Sequence, residues 1–198
     1  MKYLIIIRHE KHKNSILSPE TVSDCKKRGK KLVEELKKRK IPLPNLAICS
    51  NRKRSIDTLQ SILDGMNINL PISELYEELS DYRSGKFPFT DEEVNQSRVK
   101  AAQDNSDDFE PYLLPLFPKK VKQRAMESVG VLKKCLQKNK GTIILCSHGC
   151  SRLEGLTSVF QKKPVNKPSF FYERGAIAIL TFTNDLKLKN VKYLGKLV

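Results

Sequence analysis

Two of the chain's three histidines directly follow apolar runs. Tyr3 to Ile7 leads into Arg8-His9-Glu10, and Thr142 to Cys146 leads into Ser147-His148-Gly149. A third run, Leu46 to Cys49, is followed by Ser50 and, four residues on, by Arg54. Two guanidiniums and two imidazoles make a pocket for a dianionic phosphoryl group. Arginine supplies planar, bidentate donors that match phosphate oxygens. Its positive field disfavours protonation of a neighbouring imidazole, and a neutral ring keeps the lone pair that a nucleophile needs. His9 can then attack phosphorus, and water can release the phosphoryl group. The leaving alkoxide needs a proton, so a carboxylic acid should stand near the pocket. Arg52 is an alternative pocket arginine, and His12 among its lysines reads as an exposed residue.

A different chemistry overlaps the last stretch. Cys146-Ser-His-Gly149-Cys-Ser-Arg152 fits C-x-x-G-x-x-R, the phosphate loop of cysteine-dependent phosphatases. There Cys146 would be a thiolate favoured by a helix N-terminus, and Arg152 would grip phosphate. Leu145 and Leu153 depart from that pattern, and only Asp107 or Asp108 offers an acid. This reading leaves Arg8-His9 and the segment from Ser50 to Thr58 without a role.

The elements that must position these groups follow from periodicity. Tyr3 to Ile7 lacks polar alternation, as a strand buried on both faces of a parallel sheet does. Val22, Cys25, Leu32, Val33 and Leu36 recur at helical spacing and predict a helix over about 20–39, stopped by Pro42 and Pro44. Leu46 to Cys49 predicts a second strand. Ile56, Leu59, Ile62 and Leu63 predict a helix closing near Gly65, and a third strand is expected at 71–75. Residues 80–118, rich in proline, read as an irregular insertion with one helix near 91–103. Val121 to Leu136 predicts a long helix, Thr142 to Cys146 a buried strand, and 176–182 and 191–194 two closing strands. Alternating strands and helices imply an α/β class, three layers α/β/α around a mainly parallel sheet. Open sheets of this kind bind ligands beyond the carboxyl ends of their strands, which is where both histidines and both arginines fall. The expected organisation is a single domain over 1–198.

With these pieces in order, the chain resembles the histidine phosphatase superfamily, with the phosphoglycerate mutase-like fold. That family opens with a strand and Arg-His-Gly or Arg-His-Ala, to which IIIRHE is similar. Its Ser-x-x-x-Arg-Ala-x-x-Thr segment is similar to Ser50-Asn51-Arg52-Lys53-Arg54-Ser55-Ile56-Asp57-Thr58, and its late strand with His-Gly to ILCSHG. The resemblance spans about 150 residues. It implies His9 as nucleophile and Arg8, Arg54 and His148 as the phosphate pocket. It implies a Leu-x-Glu acid, matched by Leu75-Tyr76-Glu77, with Glu78 and Asp81 as neighbouring alternatives to Glu77. A further pocket contact falls loosely on Asn14 and Ser15. Arginine and histidine replace the charge a metal would bring, so neither a metal nor a cofactor is implied.

Glu10 departs from the pattern, since the family has Gly or Ala there. A carboxylate beside a phosphate weakens binding unless it turns away or pairs with a lysine. An alternative is therefore a phosphate-site binding or regulatory protein that has lost turnover. Cys25 also stands roughly where the first helix of the family carries a glycine.

Bulk properties bound the rest. The net charge of +15 favours acidic partners, here a phosphorylated small molecule or a phosphopeptide. A nucleic-acid or membrane-surface role for the lysine-rich faces at 26–40 and 119–140 lacks an accompanying recognition motif. The N-terminal apolar run is too short for a signal peptide or a span. Five cysteines with no CxxC or zinc spacing suit reduced thiols in the cytoplasm.

Overall fold

The predicted strands at 3–7, 46–49 and 142–146 are apolar throughout because they are covered on both faces, whereas the edge strand at 72–76 is largely exposed. The computed structural model describes residues 1–12, 16–106, 108–164 and 173–197. Its order is β1 (Lys2–Arg8), α1 (Pro19–Lys38), β2 (Pro44–Ser50), α2 (Lys53–Met66), β3 (Ile72–Tyr76), α3 (Asp91–Gln103), α4 (Leu113–Leu116), α5 (Pro118–Lys138), β4 (Thr142–Ser147), α6 (Gly155–Gln161), β5 (Ile177–Phe182) and β6 (Leu188–Gly195). Short 3-10 turns lie at Glu77–Leu79 and Glu110–Tyr112, and a π-helical turn spans Gly149–Glu154.

The sheet runs β3-β2-β4-β1-β5-β6. The pairs β2–β3, β2–β4 and β1–β4 are parallel, and β5 lies antiparallel to both β1 and β6. Alternate residues of β1 enter opposite layers. Leu4 and Ile6 pack with Leu132 and Leu136 of α5 and Leu156 of α6. Ile5 and Ile7 pack with Cys25, Leu32 and Leu36 of α1 and Leu59 and Ile62 of α2. These are the two outer layers of an α/β/α fold.

Residues 80–118 are more ordered than a proline-rich insertion suggests. Thr90 caps α3 by accepting from the Glu93 N–H, while the Glu93 carboxylate accepts from the Thr90 N–H. Phe89, Val94, Leu113 and Leu114 form a separate small core with Val121 of α5.

The second helix closes near Gly65 as expected, but Gly65 is not its cap. It continues to Met66 and ends on Asn67, whose φ of 56° is left-handed. Gly65 instead lies at the contact between α1 and α2, facing Gly29. A Cβ on Gly29 would run into the Ile62 carbonyl oxygen, and one on Gly65 into that of Lys26. The glycine of the first helix is therefore Gly29, one turn beyond Cys25. Because the obstacle is backbone, no rotamer change relieves it.

Gly29→Ala gains at most about 1 kcal/mol of helix propensity and should lose more than that to overpacking, typically 1–3 kcal/mol. Gly130, exposed on α5 with nothing near its missing Cβ, is the opposite case, and Gly130→Ala should stabilise by up to about 1 kcal/mol. Urea midpoints that move in these opposite directions support the packing argument; a stabilised Gly29→Ala refutes it.

Candidate active site

The carboxyl ends of β1, β2 and β4 lie side by side, with Arg8 opposite Ser147 and Cys49 opposite Cys146. The backbone at His9 is pinned from two directions. The Arg8 N–H donates to the Ala176 carbonyl (2.9 Å), the His9 N–H to that of Ser147 (3.0 Å), and the Gly175 N–H to that of Arg8 (3.1 Å).

This brings the rings of His9 and His148 to 4.7 Å between centroids. His9 Nδ1 lies 2.7 Å from the Glu10 carbonyl oxygen. A carbonyl can only accept, so Nδ1 carries the proton and Nε2 the lone pair. That Nε2 is buried and has no hydrogen-bond partner among the described residues. Burial above all, and then the charges of Arg54, Arg174 and Arg8, hold His9 well below the usual histidine range. It is neutral at pH 7.

The opposite tautomer is set on His148. Arg54 Nη2 donates to its Nδ1 (3.0 Å). A guanidinium has no acceptor, so the ring proton sits on Nε2, facing Ser50 Oγ (3.0 Å) and Ser55 Oγ (3.3 Å). Burial, with the His9 ring and Arg54, lowers this histidine as well. The Ser50-to-Thr58 segment thus works as one piece. Ser50 ends β2, while Arg54, Ser55 and Thr58 share the first turns of α2. Thr58 Oγ1 donates to the Arg54 carbonyl (2.7 Å) and accepts from the Glu10 N–H (3.2 Å).

Arg8 is fully buried. Its Nη2 donates to Asp108 Oδ2 (2.7 Å), and Glu110 Oε2 lies 3.8 Å away. A Cβ on Gly149 would stand 2.5 Å from Arg8 Nε, so the glycine after His148 is required by the passage of this guanidinium. Asp81 bridges Arg52 Nε (3.0 Å) and Arg54 Nη2 (3.4 Å). The Asp81 loop is held from below by two buried arginines. Arg124 donates to the carbonyls of Asp81, Ser84 and Phe87, and Arg152 to those of Ser80, Ser84 and Arg124. Burial pushes the Arg124 guanidinium down to about 9.

Of the residues expected at the site, the fold brings together Arg8, His9, Arg54, His148 and the alternative Asp81. Glu77 does not join them. It opens the 3-10 turn after the edge strand β3, its side chain is exposed, and among the described residues it has no hydrogen bond or ion pair to the pocket. Asn14 and Ser15 lie outside the described residues. Arg52 is near the pocket only through Asp81. His12, expected to be exposed, is half-buried with its ring 6.1 Å from His9. Glu10 turns away and pairs with Arg28 of α1 rather than with a lysine.

The cysteine reading fails on geometry. Cys146 lies in the sheet, fully buried in the α1–α2 core beside Cys49, and burial raises its thiol well above the usual range. Arg152 is spent on backbone carbonyls and on Glu127.

Sequence reasoning missed Arg28, Glu110 and Arg174; it met Asp108 only as an acid for the cysteine reading, and Ser55 only as part of the Ser50-to-Thr58 segment. Asp108 and Glu110 look like part of a solvated acidic loop. The available signal is Phe109 between them and Leu113-Leu114 after them, apolar anchors that hold the segment against the body of the protein.

The chain matches the histidine phosphatase superfamily (branch 1) over residues 5–190. It belongs to that superfamily. Membership supports a phosphatase-type function, and the fold agrees. The mycobacterial glucosyl-3-phosphoglycerate phosphatase solved with VO3 is 16% identical, with a TM-score of 0.67 over 98% of this chain and 99% of that one. YhfR from Bacillus stearothermophilus is 18% identical, with a TM-score of 0.60 over 96% and 95%. Phosphoserine phosphatase from Entamoeba histolytica is 15% identical, with a TM-score of 0.62 over all of both chains. No curated protein matches the chain. Among the described residues, no helix is long and apolar enough to cross a membrane.

Two buried neutral histidines make this superfamily member sensitive to acid. Below pH 6.5 they take up protons in the unfolded chain but not in the folded one. Stability is therefore full above that pH and falls beneath it, by about 1.4 kcal/mol per histidine at pH 5.5. Glu110, whose carboxyl is raised by burial, offsets part of this. Urea midpoints at pH 7.5 and 5.5 should differ in the wild type and differ less in the His9→Gln/His148→Gln double variant. An unchanged difference would contradict the assignment.

Proposed function

We propose that the chain is a phosphomonoesterase that passes the phosphoryl group through a covalent phosphohistidine at Nε2 of His9. The supporting observation is that Nε2 atom: buried, deprotonated, without a hydrogen-bond partner among the described residues, and close to Arg54 and His148. Its proton is parked on Nδ1 by the Glu10 carbonyl, so attack needs no prior proton removal.

In this reading the phosphoryl oxygens take N–H groups of Arg8 and Arg54, and His148 becomes a further donor when its Nδ1, released by Arg54, takes up a proton beside the dianionic phosphate. On binding, Arg54 exchanges its bond to His148 Nδ1 for a phosphate oxygen. The N–P bond forms as the P–O ester bond breaks, and a carboxylic acid at the pocket protonates the leaving oxygen. Water then attacks phosphorus and releases phosphate. Arginine charge does the work that a metal ion does elsewhere, so the reaction is proposed to be metal-independent. The substrate class is a phosphorylated small molecule or phosphopeptide in the cytoplasm. Relatives named for glucosyl-3-phosphoglycerate and phosphoserine make small phosphorylated metabolites the first to screen.

The competing idea, a phosphate-binding protein without turnover, rested on Glu10. Its pairing with Arg28 removes the carboxylate from the phosphoryl seat and with it the physical objection to catalysis.

The wild type should hydrolyse 4-nitrophenyl phosphate, and His9→Ala should lose at least about 10³-fold in kcat/KM. Acid-quenched and alkali-quenched samples should show a phosphoryl label that is acid-labile and base-stable, and absent from His9→Ala. Equal low rates for both proteins would end the proposal.

A further inference from the structure

Among the described residues, four carboxyl groups belong to segments that border the pocket, and three have both oxygens committed. Glu10 holds Arg28 with one oxygen and accepts from the Lys11 N–H with the other. Asp81 accepts from Arg52 and the Arg83 N–H on Oδ1, and on Oδ2 it accepts from Arg54 and pairs by charge with Arg52 Nε. Asp108 meets Arg8 and Arg174 through Oδ2 and accepts from the Glu110 N–H on Oδ1.

Glu110 is different. Its side chain is buried, and its Oε2 has no hydrogen-bond partner among the described residues. That oxygen is 3.8 Å from Arg8, which stands beside His9 in the chain. Packing on both sides holds the position. Phe109 packs edge-on against Tyr82 at 5.1 Å, and Leu113 and Leu114 are fully buried in the small core with Val121. Glu77 is exposed at the end of the edge strand.

We infer that Glu110, supplied by the 80–118 segment, is the catalytic acid that protonates the leaving oxygen, in place of a carboxyl after the third strand. The inference rests on the phosphohistidine reading. In the first step His9 Nε2 bonds to phosphorus, the ester P–O bond breaks with its electron pair on oxygen, and the Glu110 proton moves to that oxygen to give the free alcohol. In the second step the Glu110 carboxylate takes a proton from water as that water attacks phosphorus. The N–P bond breaks, inorganic phosphate departs, and both side chains are restored. Burial raises the Glu110 carboxyl above the ordinary glutamate range, against the opposing pull of Arg8. A proton is therefore held there more readily than on an exposed glutamate.

The test separates this inference from the reading beneath it by leaving-group chemistry. A nitrophenolate departs without a proton, whereas an alkoxide does not. Glycerol 2-phosphate and 4-nitrophenyl phosphate are compared in wild type, Glu110→Gln and Glu77→Gln, with circular dichroism to check folding. Glu110→Gln should lose about 10²–10⁴-fold on glycerol 2-phosphate and less than about tenfold on 4-nitrophenyl phosphate. It should also lose the alkaline limb that the wild type shows with the alkyl ester. Four results overturn the inference: equal losses on both esters, a selective alkyl loss in Glu77→Gln instead, faster turnover of both esters in Glu110→Gln, which would mark Glu110 as a plug on the arginines, or a wild type inactive on both esters. The last would also remove the phosphohistidine reading, whereas the other three leave it standing.

Discussion

The arrangement depends on keeping one imidazole nitrogen unprotonated and unshared inside a cationic crevice. His9 Nδ1 is tied to the carbonyl of its own neighbour, so the tautomer is decided within one residue. Nε2 then faces guanidiniums, whose charge makes a second ring proton costly. His148, 4.7 Å away, is given the reverse tautomer by Arg54. Two neutral rings pack where two imidazolium ions would repel. The cost is desolvation of both, borne at the ends of β1 and β4, central strands covered on each face.

Buried arginines set the second constraint. A guanidinium out of water must find acceptors, because burying a charge without partners is far more costly than the pairing is worth. Arg124 and Arg152 solve this with backbone carbonyls of the 80–87 loop, which fixes the loop that carries Asp81. Arg28 takes the Glu10 carboxylate, and Arg8 takes Asp108. The 80–118 segment is therefore part of the pocket's charge balance as well as its wall. Substitutions in that segment act on Arg8 and Arg54 through these pairs.

Much of the framework was legible without coordinates, for local reasons. Apolar runs without alternation identify doubly covered strands, and helical periodicity identifies the layers that cover them. The rule for open sheets then points to the residues after each strand. Gly65 does lie at the end of its helix, but Asn67 is what ends it. Gly65 itself permits two backbones to approach, and only the opposing Gly29 reveals that. Cys146 misled because a short motif does not state which way a strand residue points. In the sheet it points into the core.

Sequence alone determined the nucleophile candidate, its second histidine and the paired arginines, because strand ends and chain order bring them together whatever the side chains do. Tertiary structure decided which carboxylates share the pocket. Acids are scattered through the chain and carry no periodic signal. Asp108 and Glu110 reach Arg8 across about a hundred residues of sequence because Phe109 packs on Tyr82 while Leu113 and Leu114 are buried against the rest of the fold. Such pairing is a property of packing and desolvation, and neither is written in any one stretch of residues.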